Sequence, residues 1–303
     1  MNKKVRLTFD IETITTGFSI SADVWHTVTL GALYLAKLLK ERNLKATFFI
    51  SLSKKNPKIN REEFLSALET LIYSLKGFDN IRLEPHIHAF DLPLSFDCKE
   101  DFFSCYSDEE QLAMLNFAKD FFSKFNIEVN AFRPGGYHAT KEYYANLKKA
   151  GFSVSSLLDI NLPVNIDLTT NKIIKSDSFY IRSGIKEFPV TSVKVKSIKG
   201  KTEIVNLSPD FFTLESVLSQ IEEISDLTIN AHSFSLFTSR LMRENHKRQL
   251  RNNVKFMLFD RLLNKILSKN NIFTMYRNTI AGTEIIKWLD YFYKNKWETL
   301  FLE

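Results

Sequence analysis

Apolar positions along this chain change period repeatedly, and each change marks an element. Val5-Arg6-Leu7-Thr8-Phe9 alternates as a half-buried strand does, and then meets Asp10 and Glu12. From Thr27 to Arg42, Leu30, Leu33, Tyr34, Leu38 and Leu39 fall on one helical face. Ala46 to Ile50 predicts a short buried strand, and Glu62 to Leu75 a second amphipathic helix. Ile81 to Glu84 predicts a third strand that runs into Pro85-His86-Ile87-His88. After a long polar and aromatic loop, Ser107 followed by Asp108, Glu109 and Glu110 signals a helix start, with the helix continuing to about Phe125.

The second half continues in the same way. Val129 to Phe132 predicts a strand opening into Arg133-Pro134-Gly135-Gly136-Tyr137. Lys141 to Ala150 predicts a helix stopped by Gly151, and residues 152 to 157 another strand. The pattern loosens from about 160 to 206 into short strands and turns, among them Ile185 to Val190. Thr213 to Ile224 predicts a helix, Leu227 to Ala231 a strand ending at His232, then a long basic helix and a strand over Ile272 to Met275. Strand and helix alternate over nearly the whole length, without repeats or linkers. The expected fold class is therefore α/β, one domain over residues 1–303 with parallel strands inside and helices outside.

Chemically distinctive residues collect at the C-terminal ends of the predicted strands: Asp10 and Glu12, His86 and His88, Arg133, and His232. In parallel α/β barrels that edge carries active sites. Carboxylates and imidazoles there can hold a divalent metal, and a His-x-His pair on extended backbone points both rings to one side. Amide hydrolysis needs a metal-polarised carbonyl, a general base, an oxyanion donor and an acid for the leaving amine. Asp10, the backbone N–H groups of Gly136 and Tyr137, and His232 can fill the last three roles. Each residue also has a plain structural reading: a barrel-end ion pair for Asp10 and Glu12, a satisfied structural histidine for His86 or His88, a tight turn for Arg133 to Gly136, a strand cap for His232. His26, His138 and His246 read as surface or loop residues.

Composition adds little beyond this. Hydrophobic residues are 44% and charged residues 25% of 303, ordinary globular values, and the 27 phenylalanines read as packing. Cys98 and Cys105 make neither a zinc-ligand pattern nor a disulfide framework. Net charge is +6, and Arg240 to Lys269 concentrates Arg243, Lys247, Arg248, Arg251, Lys255, Arg261 and Lys265. Such a segment is either a solvated face or an attractor of diphosphates or an anionic membrane face, and no nucleic-acid motif joins it. A strand beginning at Val5 leaves no room for a signal peptide, and no apolar run approaches the ~20 residues of a bilayer span, so a soluble cytoplasmic protein is expected.

Taken in order, Thr8-Phe9-Asp10 with a following acid, Ala46-Thr47-Phe48-Phe49, the histidines after Glu84, Phe132-Arg133-Pro134-Gly135-Gly136, Glu187-Phe188-Pro189-Val190 and Ala231-His232-Ser233 resemble the landmarks of polysaccharide deacetylases. The resemblance runs from about residue 5 to 280, and its specificity lies in the ordered set. It implies a distorted (β/α)7 barrel and metal-assisted removal of an acetyl group from an N-acetylated sugar. It implies Asp10 as base, Glu12, His86 and His88 as metal ligands, Arg133 as the residue orienting the base and His232 as general acid. Zn²⁺ is the leading metal, with Mn, Co or Ni as alternatives. With strand one starting at Val5 and a basic Arg240 to Lys269 segment, the expected substrate is a cytoplasmic precursor of a surface polysaccharide, linked to a nucleotide or lipid diphosphate, with peripheral contact to the inner membrane. Three positions depart from the family pattern: Asp10-Ile11-Glu12 replaces an Asp-Asp pair, His86-x-His88 replaces His-x-x-x-His, and Phe90 stands four after His86, with Asp91 as a possible substitute. These departures leave open a degenerate barrel that binds a glycan or a partner protein, and hydrolysis of another amide such as a formamide or cyclic ureide.

Overall fold

The computed structural model describes residues 3–12, 23–54, 60–90, 92–158, 164–174, 179–196, 200–233 and 281–303. Its helix-bearing elements follow the hydrophobic periods. Strand β1 (Lys4–Ile11) leads to α1 (Asp23–Glu41), β2 (Ala46–Ser51), α2 (Arg61–Leu75) and β3 (Ile81–Ile87). Then come α3 (Asp108–Ser123), β4 (Ala131–Pro134), α4 (Tyr143–Lys149) and β5 (Val154–Ser155). Side-chain caps set several helix starts: the Asn60 side chain accepts from the Glu62 N–H, and Ser107 and Glu110 form a reciprocal capping box. Gly151 ends α4 in the left-handed region at φ 76°, where a side chain would be strained.

The loosely patterned region contains β6 (Ile166–Asp167), β7 (Lys172–Ile173), β8 (Tyr180–Arg182), β9 (Ile185–Glu187), β10 (Ser192–Lys196) and β11 (Thr202–Asn206). Helix α5 (Leu214–Glu223), β12 (Asp226–His232), α6 (Ala281–Lys294) and β13 (Glu298–Thr299) complete the described chain. The strand expected over Ile185 to Val190 stops at Glu187. The basic helix and the strand at Ile272 to Met275 lie outside the described residues, as do Asp91 and His246.

Seven strands, β12-β1-β2-β3-β4-β5-β9, run parallel in one curled sheet, with β8 antiparallel on β9 and β13 beside β1. This is the distorted seven-stranded barrel of the α/β class. The last seam is not a ladder. Thr191, beyond β9, donates its N–H to the Thr228 carbonyl at 2.9 Å and accepts the Thr228 N–H on Oγ1 at 3.0 Å. A separate sheet, β11-β10-β6-β7, takes β6 and β7 from the connection between β5 and β8 and β10 and β11 from that between β9 and β12, and Leu207 at its exit donates to the Thr191 carbonyl.

Alternation sorts β1 into two faces, both buried. Val5, Leu7, Phe9 and Ile11 join Leu35, Leu39, Leu68 and Ile72 in the large core between sheet and helices. Among the described residues, eleven fully or nearly fully buried phenylalanines, such as Phe48, Phe103 and Phe132, belong to that core, as a packing role requires. Arg6, Thr8 and Asp10 face the barrel interior instead. A small apolar cluster of Phe49, Ala131, Val154, Phe188 and Leu302 fills part of that interior. The 300–302 segment enters at the N-terminal end of the barrel, where Leu300 donates to the Val5 carbonyl and Arg82 to that of Leu302.

Two further carboxylates are buried here. Glu84 Oε2 accepts the Asn130 and Ala131 N–H groups at 2.9 Å each, bridging β3 to the start of β4. Glu187 Oε1 accepts the Leu157 N–H at 2.6 Å. Burial pushes Glu84 from its ordinary 4.5 up to about 8 and Glu187 up to about 7, against the pull of those hydrogen bonds. A raised carboxylate pKa means the folded chain binds more protons than the unfolded one between 4.5 and 8, so these groups lower stability as pH rises through that window. Glu84→Gln cannot ionise. Urea midpoints at pH 5 and pH 8 should show the variant gaining on wild type at the higher pH; an unchanged difference would mean that Glu84 does not titrate in this range.

Candidate metal centre and catalytic cluster

Parallel register gathers the strand-end residues at one rim of the barrel. Asp10 lies beside His232 across β1 and β12, and His86 lies beside Arg133 across β3 and β4. The two-residue period then places Glu12 on the same side as Asp10, and His88 on the same side as His86. Asp10, Glu12, His86, His88 and Arg133 are all buried, and His232 is about a fifth exposed.

Arg133 runs through the barrel interior with no exposed surface. Its Nη1 donates to Asp10 Oδ1 at 2.8 Å and to Asn230 Oδ1 at 2.7 Å. Its Nη2 donates to Thr8 Oγ1 at 2.9 Å and Ser156 Oγ at 2.8 Å, and Nε donates to the Ser156 carbonyl at 3.3 Å. These bonds occupy all five donors of the guanidinium. The group lies 4.1 Å from the Phe49 ring centroid, a cation–π contact that gives the charge a floor. Asp10 Oδ2 accepts from Asn230 Nδ2 at 2.8 Å. Burial alone would raise the Asp10 pKa, but the positive charge of Arg133, with His86 and His232, holds it below the usual carboxylate value.

Glu12, His86 and His88 converge, with one ligand atom from each lying within 4.8 Å of the others. His86 Nε2 stands 3.6 Å and His88 Nε2 2.9 Å from Glu12 Oε2. The other ring nitrogen of His86, Nδ1, lies 3.0 Å from the Arg133 carbonyl, which can only accept. Nδ1 therefore carries the proton. Burial lowers the His86 pKa and favours the neutral ring, so its Nε2 turns a lone pair towards Glu12. A lone pair facing a carboxylate is repelled unless a proton or a metal ion stands between them. His88 repeats the design, its Nδ1 lying 3.0 Å from Asp101 Oδ1. Carbonyl or carboxylate partners behind both imidazoles are the usual outer support of metal-binding histidines. The donor set, one carboxylate and two imidazoles, fits a divalent ion of the zinc type.

His232 is held from behind by Asp210, whose Oδ2 lies 2.7 Å from Nδ1 and also accepts the His232 N–H at 2.9 Å. In front, His232 Nε2 lies 3.3 Å from Glu12 Oε1 and 3.9 Å from Asp10 Oδ2. Burial would lower the His232 pKa; Asp210 first, then Glu12, raise it well above the usual imidazole value.

The turn Gly135–Tyr137 follows β4 directly, with Gly136 at φ 62° and Tyr137 at φ 61°. A Cβ on Gly135 would sit 2.5 Å from His88 Nδ1, so only glycine lets the chain pass that ring. Tyr137 is half-buried, and its hydroxyl accepts from Asn230 Nδ2 at 2.7 Å. His138 is exposed and packs on Phe102 at 4.1 Å between ring centroids; His26 falls within α1.

The residues singled out in the sequence thus lie together, and the structure adds Asn230, Asp210 and Asp101. Asn230 was findable, because the alternation that turns His232 inward also turns Asn230 inward. Asp210 and Asp101 sit in irregular segments, where Asp is a common turn residue and carries no distinguishing signal.

Burying a guanidinium is tolerable only while its partners remain. Arg133→Met should lose about 3–5 kcal/mol of stability by leaving Asp10 charged and unpaired. Adding Asp10→Asn should restore part of it. Denaturant unfolding of both variants measures this, and a loss under about 1 kcal/mol in the single variant would show that the network does not hold the strands.

No family model matches the chain, and no curated protein matches it. Solved structures do. A protein described as a polysaccharide deacetylase from Mycobacterium smegmatis is 12% identical, with 95% of this chain and 92% of that one covered and a TM-score of 0.46. A 4-alpha-glucanotransferase from Thermococcus litoralis is 11% identical, with 98% of this chain and 37% of that one covered and a TM-score of 0.45. A pseudoenzyme of the CE4 family from Bacillus anthracis is 12% identical, with 83% of this chain and 62% of that one covered and a TM-score of 0.38. Members of the family that the sequence resembles are thus among the solved structures to which it is similar. Among the described residues no helix is long and apolar enough to cross a membrane.

Proposed function

We propose that this chain is a metal-dependent hydrolase that removes the acetyl group from an N-acetylated sugar. One observation carries the reading: a carboxylate held ionised by Arg133 and an imidazole held protonated by Asp210 flank a Glu12-His86-His88 ligand set on one barrel rim. Opposite protonation states side by side are what amide hydrolysis requires of a base and an acid. A divalent ion bound by Glu12, His86 and His88 would supply Lewis acidity for the scissile carbonyl and the attacking water.

The chain's own groups take the remaining work. Asp10, fixed by Arg133 and Asn230, accepts a proton from the attacking water as its oxygen bonds to the carbonyl carbon. The backbone N–H groups of Gly136 and Tyr137 face the negative charge that develops on the carbonyl oxygen. As the C–N bond breaks, His232 gives its Nε2 proton to the leaving amine. Acetate and the free amino sugar are the products. The basic segment from Arg240 to Lys269 supports a substrate carried on a nucleotide or lipid diphosphate, met in the cytoplasm near an anionic membrane face, at ~1 kcal/mol per basic residue near such a surface.

The reading is tested by acetate release from free, nucleotide-linked and lipid-linked N-acetyl sugars, with zinc-loaded protein. His232→Ala should cut turnover by about 10²–10⁴-fold. His86→Ala/His88→Ala should abolish both turnover and retained metal by elemental analysis. No acetate from any sugar, or metal undiminished in the double variant, would overturn the reading and leave a binding barrel or another amide as the alternative.

The pH profile has a defined sign. Asp10 works when ionised, and its depressed pKa keeps the acid limb low. His232 works when protonated, and its raised pKa keeps activity well above pH 6.5. A cation on Glu12 withdraws that residue's share of the rise and leaves Asp210 as its source. Asp210→Asn should therefore move the alkaline limb of kcat/KM down towards the ordinary imidazole value, whereas an unmoved limb would remove His232 from the acid's role.

A further inference from the structure

Phe102 is 39% exposed, next in the chain to the carboxylate that supports His88. A single exposed apolar side chain is ordinary on a protein surface, so its placement has to carry the argument. That placement is fixed on both sides. Before it, Asp101 holds His88 Nδ1 through its side chain and accepts the Ala89 N–H on its carbonyl at 2.9 Å. After it, Phe103 is fully buried and packs on Phe132 and Tyr143, at 5.5 and 6.1 Å between ring centroids. Between these two anchors Phe102 is held at the rim.

Gly136 joins that ring to the site. It is exposed, and a Cβ built on it would lie 2.9 Å from Phe102 Cε1 and 3.2 Å from His138 Cδ2. His138 backs Phe102, with ring centroids 4.1 Å apart and planes tilted by 40°. A Cβ on the preceding Gly135 would strike His88 instead. One wall of the rim therefore runs from the ligand set at His88, along the bare backbone of Gly135 and Gly136, to a pair of aromatic rings.

That order matters to a substrate. A carbonyl held between the ligand set and the Gly136 N–H has the ligand set on one side, so the rest of the molecule extends to the other, where the rings stand. In an N-acetylated sugar the carbonyl oxygen is only three bonds from the ring carbon that carries the nitrogen. The negative face of an aromatic ring attracts the weakly positive C–H groups of a pyranose, as it attracts the edge of another ring. Aromatic walls with a few placed polar groups are the usual lining of small-molecule sites. Resting on the hydrolase reading, we propose that Phe102, backed by His138, is the platform on which the pyranose ring of the reacting sugar stacks. It is then a specificity-determining residue, selecting sugar acetamides over small acyclic ones.

Stacking is the same before and during the reaction, so its loss belongs to KM and not to kcat. Phe102→Ala and Phe102→Tyr are compared with wild type as zinc-loaded protein. Acetate release is measured from N-acetylglucosamine and its galacto and manno epimers. NMR titration gives Kd for the same sugars and for N-methylacetamide, which has the amide and no ring. In Phe102→Ala, KM and Kd for the sugar should rise about tenfold or more, the scale of one apolar contact face lost. N-methylacetamide binding and metal content should not change, and Phe102→Tyr, which keeps the ring face, should restore the sugar values. A sugar Kd within about threefold of wild type in Phe102→Ala overturns the platform. An equal loss for N-methylacetamide also overturns it, because the ring would then lie on the acetyl methyl. Lowered metal content overturns it too, because the ring would then act through Asp101 and His88. If wild type binds the sugars but releases no acetate, the hydrolase reading fails separately and the Kd comparison still decides the platform. A wild type that binds none of the three sugars overturns the platform outright.

Discussion

A guanidinium with no exposed surface sits at the centre of this barrel, and the rim around it is arranged to make that possible. Arg133 comes from β4, yet its donors end on β1 through Thr8 and Asp10, on β12 through Asn230, and beyond β5 through Ser156. An unpaired charge in such a place costs several kcal/mol. The fold avoids this by supplying an acceptor for every N–H and an aromatic face beneath the group. The same bonds fix the rotamer of Asp10 and set its ionisation. Structural satisfaction of Arg133 and preparation of a base are one arrangement.

The rest of the site is layered outward from that pair. Asn230 saturates itself between Arg133, Asp10 and Tyr137, so a shift of any one is felt by the others. The Arg133 backbone carbonyl holds His86 in the tautomer a metal requires, which ties the ligand set to the same residue that steadies the base. Glu12 touches all three rim histidines and is where the ligand set and the proposed acid meet. Two of the three departures from the family pattern are spatially linked. A carboxylate two residues after Asp10 faces a histidine two residues after His86, so alternation on both strands carries ligands past the strand ends to one point.

The small four-stranded sheet has a definable part in this arrangement. Its exit sends Leu207 to Thr191, which closes the barrel on β12, and then Ser208, which accepts the Asp210 N–H, and Asp210, which reaches His232. The interruption of regular strand and helix alternation after β5 therefore delivers the residue that raises the pKa of the proposed acid. Its strands are short and half-exposed, which is why their apolar pattern is weak in the sequence.

What the sequence determined by itself follows from local periodicity. Period-two and period-3.6 patterns located β1 to β4, α1 to α5 and β12 within a few residues. Those patterns turned Asp10, Glu12, His86, His88, Arg133 and His232 towards one rim, because parallel strands share one C-terminal edge. Only the tertiary structure decided which of them touch. Arg133 and Asp10 are 123 residues apart, and no local pattern encodes their hydrogen bond. Asp210 and Asp101 lie in irregular backbone, where an acidic residue looks like any turn former. The direction of the Tyr137 hydroxyl depends on Asn230 having its oxygen already occupied, a condition set by three strands at once. Backbone and burial preferences are local and legible; hydrogen-bond partnership inside a barrel is a long-range choice, made only when the strands close.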